Sequence, residues 1–184
     1  MLDSSFHDAD VDASARVEGH IRVASAADVA FIVDAIVAAS RHGHFSCDGD
    51  RPDILRGLWH QVDSVVADGR MPMPGARDGV GGQAVVVQVG GAQVGCGIVI
   101  EHLPGSWRER IEIFAMVVDE RFRGRGLGKH AVRSLVTWAE SRVVYARCAP
   151  VSMAMQRMLQ ACGFVTDGVA FDGATTLAFH RAGP

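Results

Sequence analysis

The sequence lacks most of the features that mark a specialised class of protein. Its four cysteines, at positions 47, 96, 148 and 162, form no C-x-x-C pair, which removes the usual signature of a zinc ribbon or a dithiol redox site. No apolar run approaches the ~20 residues that cross a bilayer as a helix. The first ten residues, MLDSSFHDAD, are acidic with no apolar centre, so no secretory leader is expected there. Eighteen basic against 21 acidic side chains leave a net charge of −3. Without positive excess, nucleic acid is a poor expectation as partner, and no membrane partner is expected either. There is one tyrosine, Tyr145. No internal repeat or low-complexity tract is present. What remains is 184 residues with 48% hydrophobic content, enough for one domain with a sizeable core. Cys96, Cys148 and Cys162 lie in apolar segments and read as buried thiols of a cytoplasmic protein.

Residues 1–19, rich in Asp, Ser and Ala, read as a flexible arm, and residues 20–184 as a single domain. His20–Ala24 is a short strand. Ser25 offers a helix N-cap, and Val29, Ile32, Val33, Ile36 and Val37 recur at helical spacing. A loop follows, RHGHFSCDGDRP, in which His42, His44, Cys47 and Asp48 lie close together. No second ligand pair at zinc spacing accompanies them, so no metal is expected and the His42–Asp50 loop reads as substrate-facing. Its acidic residues Asp48, Asp50 and Asp53 suit a cationic acceptor. Pro52 opens a second helix whose stripe is Ile54, Leu55, Leu58, Trp59, Val62, Val65 and Val66. Residues 70–82, with two prolines and four glycines, predict a loop. Strands are predicted over 83–89 and 93–101 around the Gly90-Gly91 turn. Later come a helix over 126–141 burying Leu127, Leu135 and Trp138, a strand over 143–149, a Met-rich helix over 152–162, and a closing hairpin of 169–171 with 175–179.

The stretch on which the chain turns is Ile111–Lys129, IEIFAMVVDERFRGRGLGK. Ile111–Val118 is apolar and β-branched, as a strand covered on both faces requires, and Glu112 alone interrupts it. Glycines at 124, 126 and 128 then alternate with Arg125 and Leu127, between Arg123 and Lys129. Glycine lets the backbone approach a ligand closely. Helix-opening N–H groups lack intrahelical partners and favour anions. A strand, a basic glycine turn and a helix start therefore make a phosphate or pyrophosphate site. A Walker A loop is excluded, because Arg123 and His130 stand where glycine and Ser or Thr are needed. The dinucleotide fingerprint is excluded because Lys129 falls on its third glycine.

Arg123–Gly128 fits R-x-x-G-x-G, and with the preceding strand it resembles the acetyl-CoA loop of the GNAT superfamily of N-acetyltransferases. Glu120 stands where proline is common. The coarse element order resembles that superfamily from about His20 to His180. The resemblance implies an α/β fold with a mixed, mostly antiparallel, splayed sheet of about seven strands and about four flanking helices. It implies that Met116, Val117 and Val118 offer backbone groups to the pantetheine arm. Arg123, Gly124, Arg125, Gly126, Leu127, Gly128 and Lys129 would hold the pyrophosphate. Ser152, at a position usually held by asparagine, could add a hydrogen bond. Many members dimerise, which leaves a homodimer open.

Acetyl transfer to an alkyl ammonium, pKa ~10.4, needs a base near neutral pH. Glu112 is the candidate: apolar neighbours can raise its pKa, and the histone-acetylating branch carries its glutamate at the matching place, 11 residues before Arg123. The alternative is an edge glutamate paired with Arg108 or Arg110. Glu101 and His102 are reserve bases. The family's proton-donating tyrosine position holds Leu159, which leaves Tyr145, either as acid or as a core residue, or water. The expected activity is acetyl transfer to a primary amine of a small molecule or protein. A CoA-binding sensor with little turnover is the alternative.

Overall fold

The computed structural model describes residues 19–45, 50–101, 110–139 and 143–180. Eight strands and four α-helices lie among them. They are β1 (His20–Val23), α1 (Val29–Ser40), α2 (Pro52–Asp68), β2 (Arg70–Met73), β3 (Ala76–Val89) and β4 (Ala92–Glu101). After these come β5 (Arg110–Val118), α3 (Leu127–Trp138), β6 (Val143–Cys148), α4 (Met153–Gln160), β7 (Val165–Val169) and β8 (Thr175–Phe179). The sheet runs β1-β3-β4-β5-β6-β8-β7, with β2 paired to β3 at one end. Among the described residues only the β5–β6 pairing is parallel. No helix among the described residues is long and apolar enough to cross a membrane.

Alternation along the strands divides the core between the two faces of this sheet. On one face Ile32, Val33 and Ile36 of α1 and Leu58, Val62 and Val65 of α2 pack on Val86, Ile98, Ile100 and Ala115. On the other face Val132 and Leu135 of α3 and Leu159 of α4 pack on Val99, Ile111, Ile113, Val144 and Leu177. The entry to α1 is fixed by a buried carboxylate. Asp28 accepts from Arg22, from the backbone and hydroxyl of Ser25, and from Gln93, and these donors hold its pKa well below the ordinary range.

The register of β5 locates the important irregularity. Ala115 pairs with Ile98 and Ile113 with Val99, so Phe114 is an extra residue without a counterpart. Phe114 and Ala115 consequently both turn toward α1 and α2, whereas Ile113 faces α3. A bulge of this kind bends its strand and increases the local twist. Just there β6 departs: it pairs with β5 only at Arg110, Ile111 and Glu112. The far edge of β5 from Ile113 to Val118 has no strand partner among the described residues.

Several sequence expectations are corrected. Residues 70–82 are not a loop: Arg70–Met73 and the start of β3 form a hairpin around Pro74 and Gly75. That hairpin brings the strand total to eight. The closing hairpin begins earlier than predicted, at Val165, directly after Phe164. Trp59 and Trp138, read as core, are each 40% exposed, because each lies at the margin of its helix's apolar stripe. Cys96 and Cys148 are buried, and burial pushes their thiols up to about 12 and about 11.

Candidate active site

Where β5 and β6 part, a cleft of about 450 Å³ opens between Ile113–Val118 on one wall and Ala146, Arg147 and Cys148 on the other. The glycine turn closes one end. Met116, Val117, Val118, Arg123, Gly124, Gly126, Leu127, Gly128, Lys129 and Ser152 all line this cleft. Arg125 does not; its guanidinium lies over the Phe122 ring, 5.4 Å from the centroid.

The glycines serve two different physical ends. Gly124 and Gly126 have φ of +77° and +83°, a region that L side chains rarely adopt, and a Cβ on either would meet nothing within 4 Å. That open space is what a bound group would occupy. Gly128 serves packing instead, since its Cβ would lie 2.6 Å from the Met158 sulfur on α4. Gly126 is the N-cap of α3, so the first amides of α3 face the cleft end without intrahelical acceptors. Arg123 is anchored beside them, donating from Nε to the Val118 carbonyl at 3.0 Å and from a terminal nitrogen to Glu120 at 3.1 Å. Asp119, bonded to the Arg121 side chain and amide, is lowered to about 2 and stays ionised. The basic turn thus has its own charges fixed.

Next to the cleft, opposite its glycine-turn end, stands Glu112 in the last paired step of β5 and β6; neither Glu112 nor its pair Tyr145 is on the cleft wall, which begins at Ile113. Glu112 is paired across the sheet with Ile100 on one side and Tyr145 on the other, so it shares the α1–α2 face with both. The Tyr145 hydroxyl donates to Glu112 Oε2 at 2.7 Å. Burial raises the Glu112 pKa, and the positive charge of Arg147 opposes that rise. Tyr145 and Arg147 alternate with the buried Val144 and Ala146, which places both on the face of Glu112. Arg147 also pairs with Asp172. Glu101, the reserve base, pairs with Ile111 and so belongs to the opposite face. His102 and Arg108 lie outside the described residues.

One contact was not foreseen from the sequence. His44, in the segment after α1, reaches the cleft and places Nδ1 2.9 Å from Ser152 Oγ. His42 and Asp50 are not on the cleft wall, and Cys47 and Asp48 lie outside the described residues. No group of three metal-ligating side chains occurs among the described residues. Asp50 and Asp53, expected to draw a cationic acceptor, have Arg41 and Arg51 as ion-pair partners. The only hint of His44's placement was its presence in a loop expected to face substrate.

Comparison with known proteins agrees with this geometry. The sequence pattern of the acetyltransferase (GNAT) family matches residues 58–164, more than half of the 184. No curated protein matches the sequence. Among solved structures, one from Corynebacterium glutamicum, described as histone acetyltransferase HPA2 and related acetyltransferase, is similar with 18% identity. It covers 90% of this chain and 98% of its own at a TM-score of 0.63. An acetyltransferase from Thermus thermophilus is 15% identical, with coverage of 89% and 97% and a TM-score of 0.63. AAC(6')-Ib, solved in complex with ribostamycin and coenzyme A, is 17% identical, with coverage of 89% and 94% and a TM-score of 0.65. At these identities the structures establish the fold, and the family match establishes the lineage. The splayed sheet, the basic glycine turn at a helix start and the matched pattern together identify the chain as a member of the GNAT acetyltransferase family, whose chemistry is acetyl transfer from acetyl-CoA.

Proposed function

We propose that this protein acetylates a primary amine of a small molecule or protein, with Glu112 as the general base. The observation that carries the reading is the position of Glu112. Its carboxylate is half-buried at the point where β5 and β6 separate, holds the Tyr145 hydroxyl and has its pKa raised by burial.

The residues present fit acetyl-CoA. The unpartnered edge of β5 offers the Met116, Val117 and Val118 backbone to the amides of a pantetheine arm. The first amides of α3, with Arg123 and Lys129, would hold the pyrophosphate, and the space above Gly124 and Gly126 leaves room for it. When bound, acetyl-CoA supplies an electrophilic acyl carbon and a thiol as leaving group. The acceptor's task is to arrive neutral. An ammonium of pKa ~10.4 must lose a proton, and a carboxylate raised above its ordinary value takes one more readily, directly or through one water. The Tyr145 hydrogen bond favours the ionised carboxylate and orients it. Tyr145 is therefore retained in the site as the partner of the base. The AAC(6')-Ib structure, solved in complex with ribostamycin and coenzyme A, supports an acceptor beside the coenzyme in this fold.

One observation favours a second reading. Leu159, at the position of the family's tyrosine, is wholly buried and can donate nothing. A CoA-binding module with little turnover would tolerate that loss. Glu112→Gln separates the two readings. The enzyme reading predicts that CoA release in the presence of amines falls by about 10²-fold or more, with acetyl-CoA affinity retained in a calorimetric titration. Undetectable turnover in the wild type beside intact binding would establish the module.

A further inference from the structure

The bond between His44 and Ser152 joins two elements that belong to opposite faces of the sheet. His44 follows α1, which packs on the face of Glu112, and Ser152 precedes α4, which packs on the other. A contact between them crosses from one face to the other, and both residues line the cleft left where β5 and β6 have separated. The glycine turn closes that cleft at its α3 end. Ser152 is 7% exposed, and its side chain does not cap α4. Its hydroxyl is thus held at the cleft with no local structural duty.

Resting on the reading of the protein as an acetyltransferase, we infer that Ser152 donates the proton that the departing CoA sulfur requires, and that His44 resupplies it. This assigns the acid that Leu159 cannot provide. As the amine nitrogen bonds to the acyl carbon, the carbon–sulfur bond breaks and its electron pair goes to sulfur. In the imidazolium form His44 donates from Nδ1 to Ser152 Oγ, leaving the hydroxyl proton free to pass to sulfur. Imidazolium becomes neutral imidazole, and the half-exposed ring recovers its proton from solvent. The two protons of the former ammonium leave through Glu112 and water, so the reaction releases one proton net. Other groups on the cleft wall suit the task less well. Cys148 is packed into the α3–α4 core and Arg147 is paired with Asp172. Ser152 is then a catalytic residue, and His44 a positioning and proton-supplying one.

The test compares titrations of the ligand-free protein with CoA and with desulfo-CoA, which lacks only the thiol. The wild type is expected to prefer CoA by about five-fold, the range of one hydrogen bond to sulfur. Ser152→Ala and His44→Ala should both abolish the preference while leaving desulfo-CoA affinity unchanged. Both should lower kcat by about 10²-fold, and Ser152→Thr, which keeps the hydroxyl, should restore both properties. Retention of either the preference or the rate in both alanine variants overturns the assignment. A wild type that binds neither nucleotide overturns the acetyltransferase reading as well, so the two failures are distinguishable.

Discussion

Burial raises the Glu112 carboxyl above its ordinary value of 4.5, and Arg147 pulls partly against it. The consequence for stability has a definite sign. Between the unfolded value and the raised native value the folded state binds more protons, so stability falls as pH rises through that window. Glu112→Gln lacks this fall. The difference in Tm, variant minus wild type, should therefore increase from pH 4 to pH 7, and a difference independent of pH would contradict the burial account. Tyr145→Phe removes the hydroxyl that favours the ionised carboxylate. It should move the acidic limb of the kcat/KM profile to higher pH, whereas an unmoved limb would mean that another group sets it. At this scale the sequence was partly legible. Glu112 showed itself by breaking an apolar run, and Tyr145 by being the only tyrosine. His44 could not be placed, since a contact 108 residues away with Ser152 depends on how α1 and α4 meet across the sheet.

Among the elements, the glycine turn was the most legible, because its backbone conformation restricts which residues can occupy it. A left-handed φ of +83° at Gly126 costs an L side chain roughly 1–2 kcal/mol. Gly126→Ala should destabilise the protein by about that amount in urea unfolding, and an unchanged midpoint would contradict the strain argument. Other elements were legible in kind but not in extent. Apolar periodicity gave α2 and α3 their buried faces, yet it could not say that Trp59 and Trp138 sit at the stripe margins. Prolines and glycines hid β2: Pro72 is tolerated because β2 pairs on one side only, with β3. The bulge at Phe114 left no sequence trace. It follows from a register that depends on β4 and cannot be read from β5 alone.

For the whole molecule, the division into two faces and the parting of β5 from β6 open a cleft in an otherwise ordinary sheet. A ligand in that cleft contacts β5, α3 and the start of α4 together, so binding should stabilise the fold as a unit. At 100 times its Kd, acetyl-CoA adds about 2.7 kcal/mol. In a chain of this length that corresponds to a rise in Tm of roughly 5–11 °C, measured by scanning calorimetry. A shift near zero at saturating ligand would mean that it binds elsewhere or to the unfolded chain as well. The element order and the strand-loop-helix pattern made this architecture legible as a family resemblance. The local register and the cross-sheet contact were not legible, because each is a property of assembled elements.

The most direct test of the cleft as the acetyl-CoA site is a calorimetric titration of wild type and Gly126→Glu with acetyl-CoA, with ATP as a control. Micromolar, one-to-one binding of acetyl-CoA by the wild type is predicted, with markedly weaker binding of ATP. Gly126→Glu, which puts a negative side chain into the open space at the start of α3, should abolish binding while its circular dichroism stays native. Equal binding by wild type and variant, or none by the wild type, would contradict the cleft as the site.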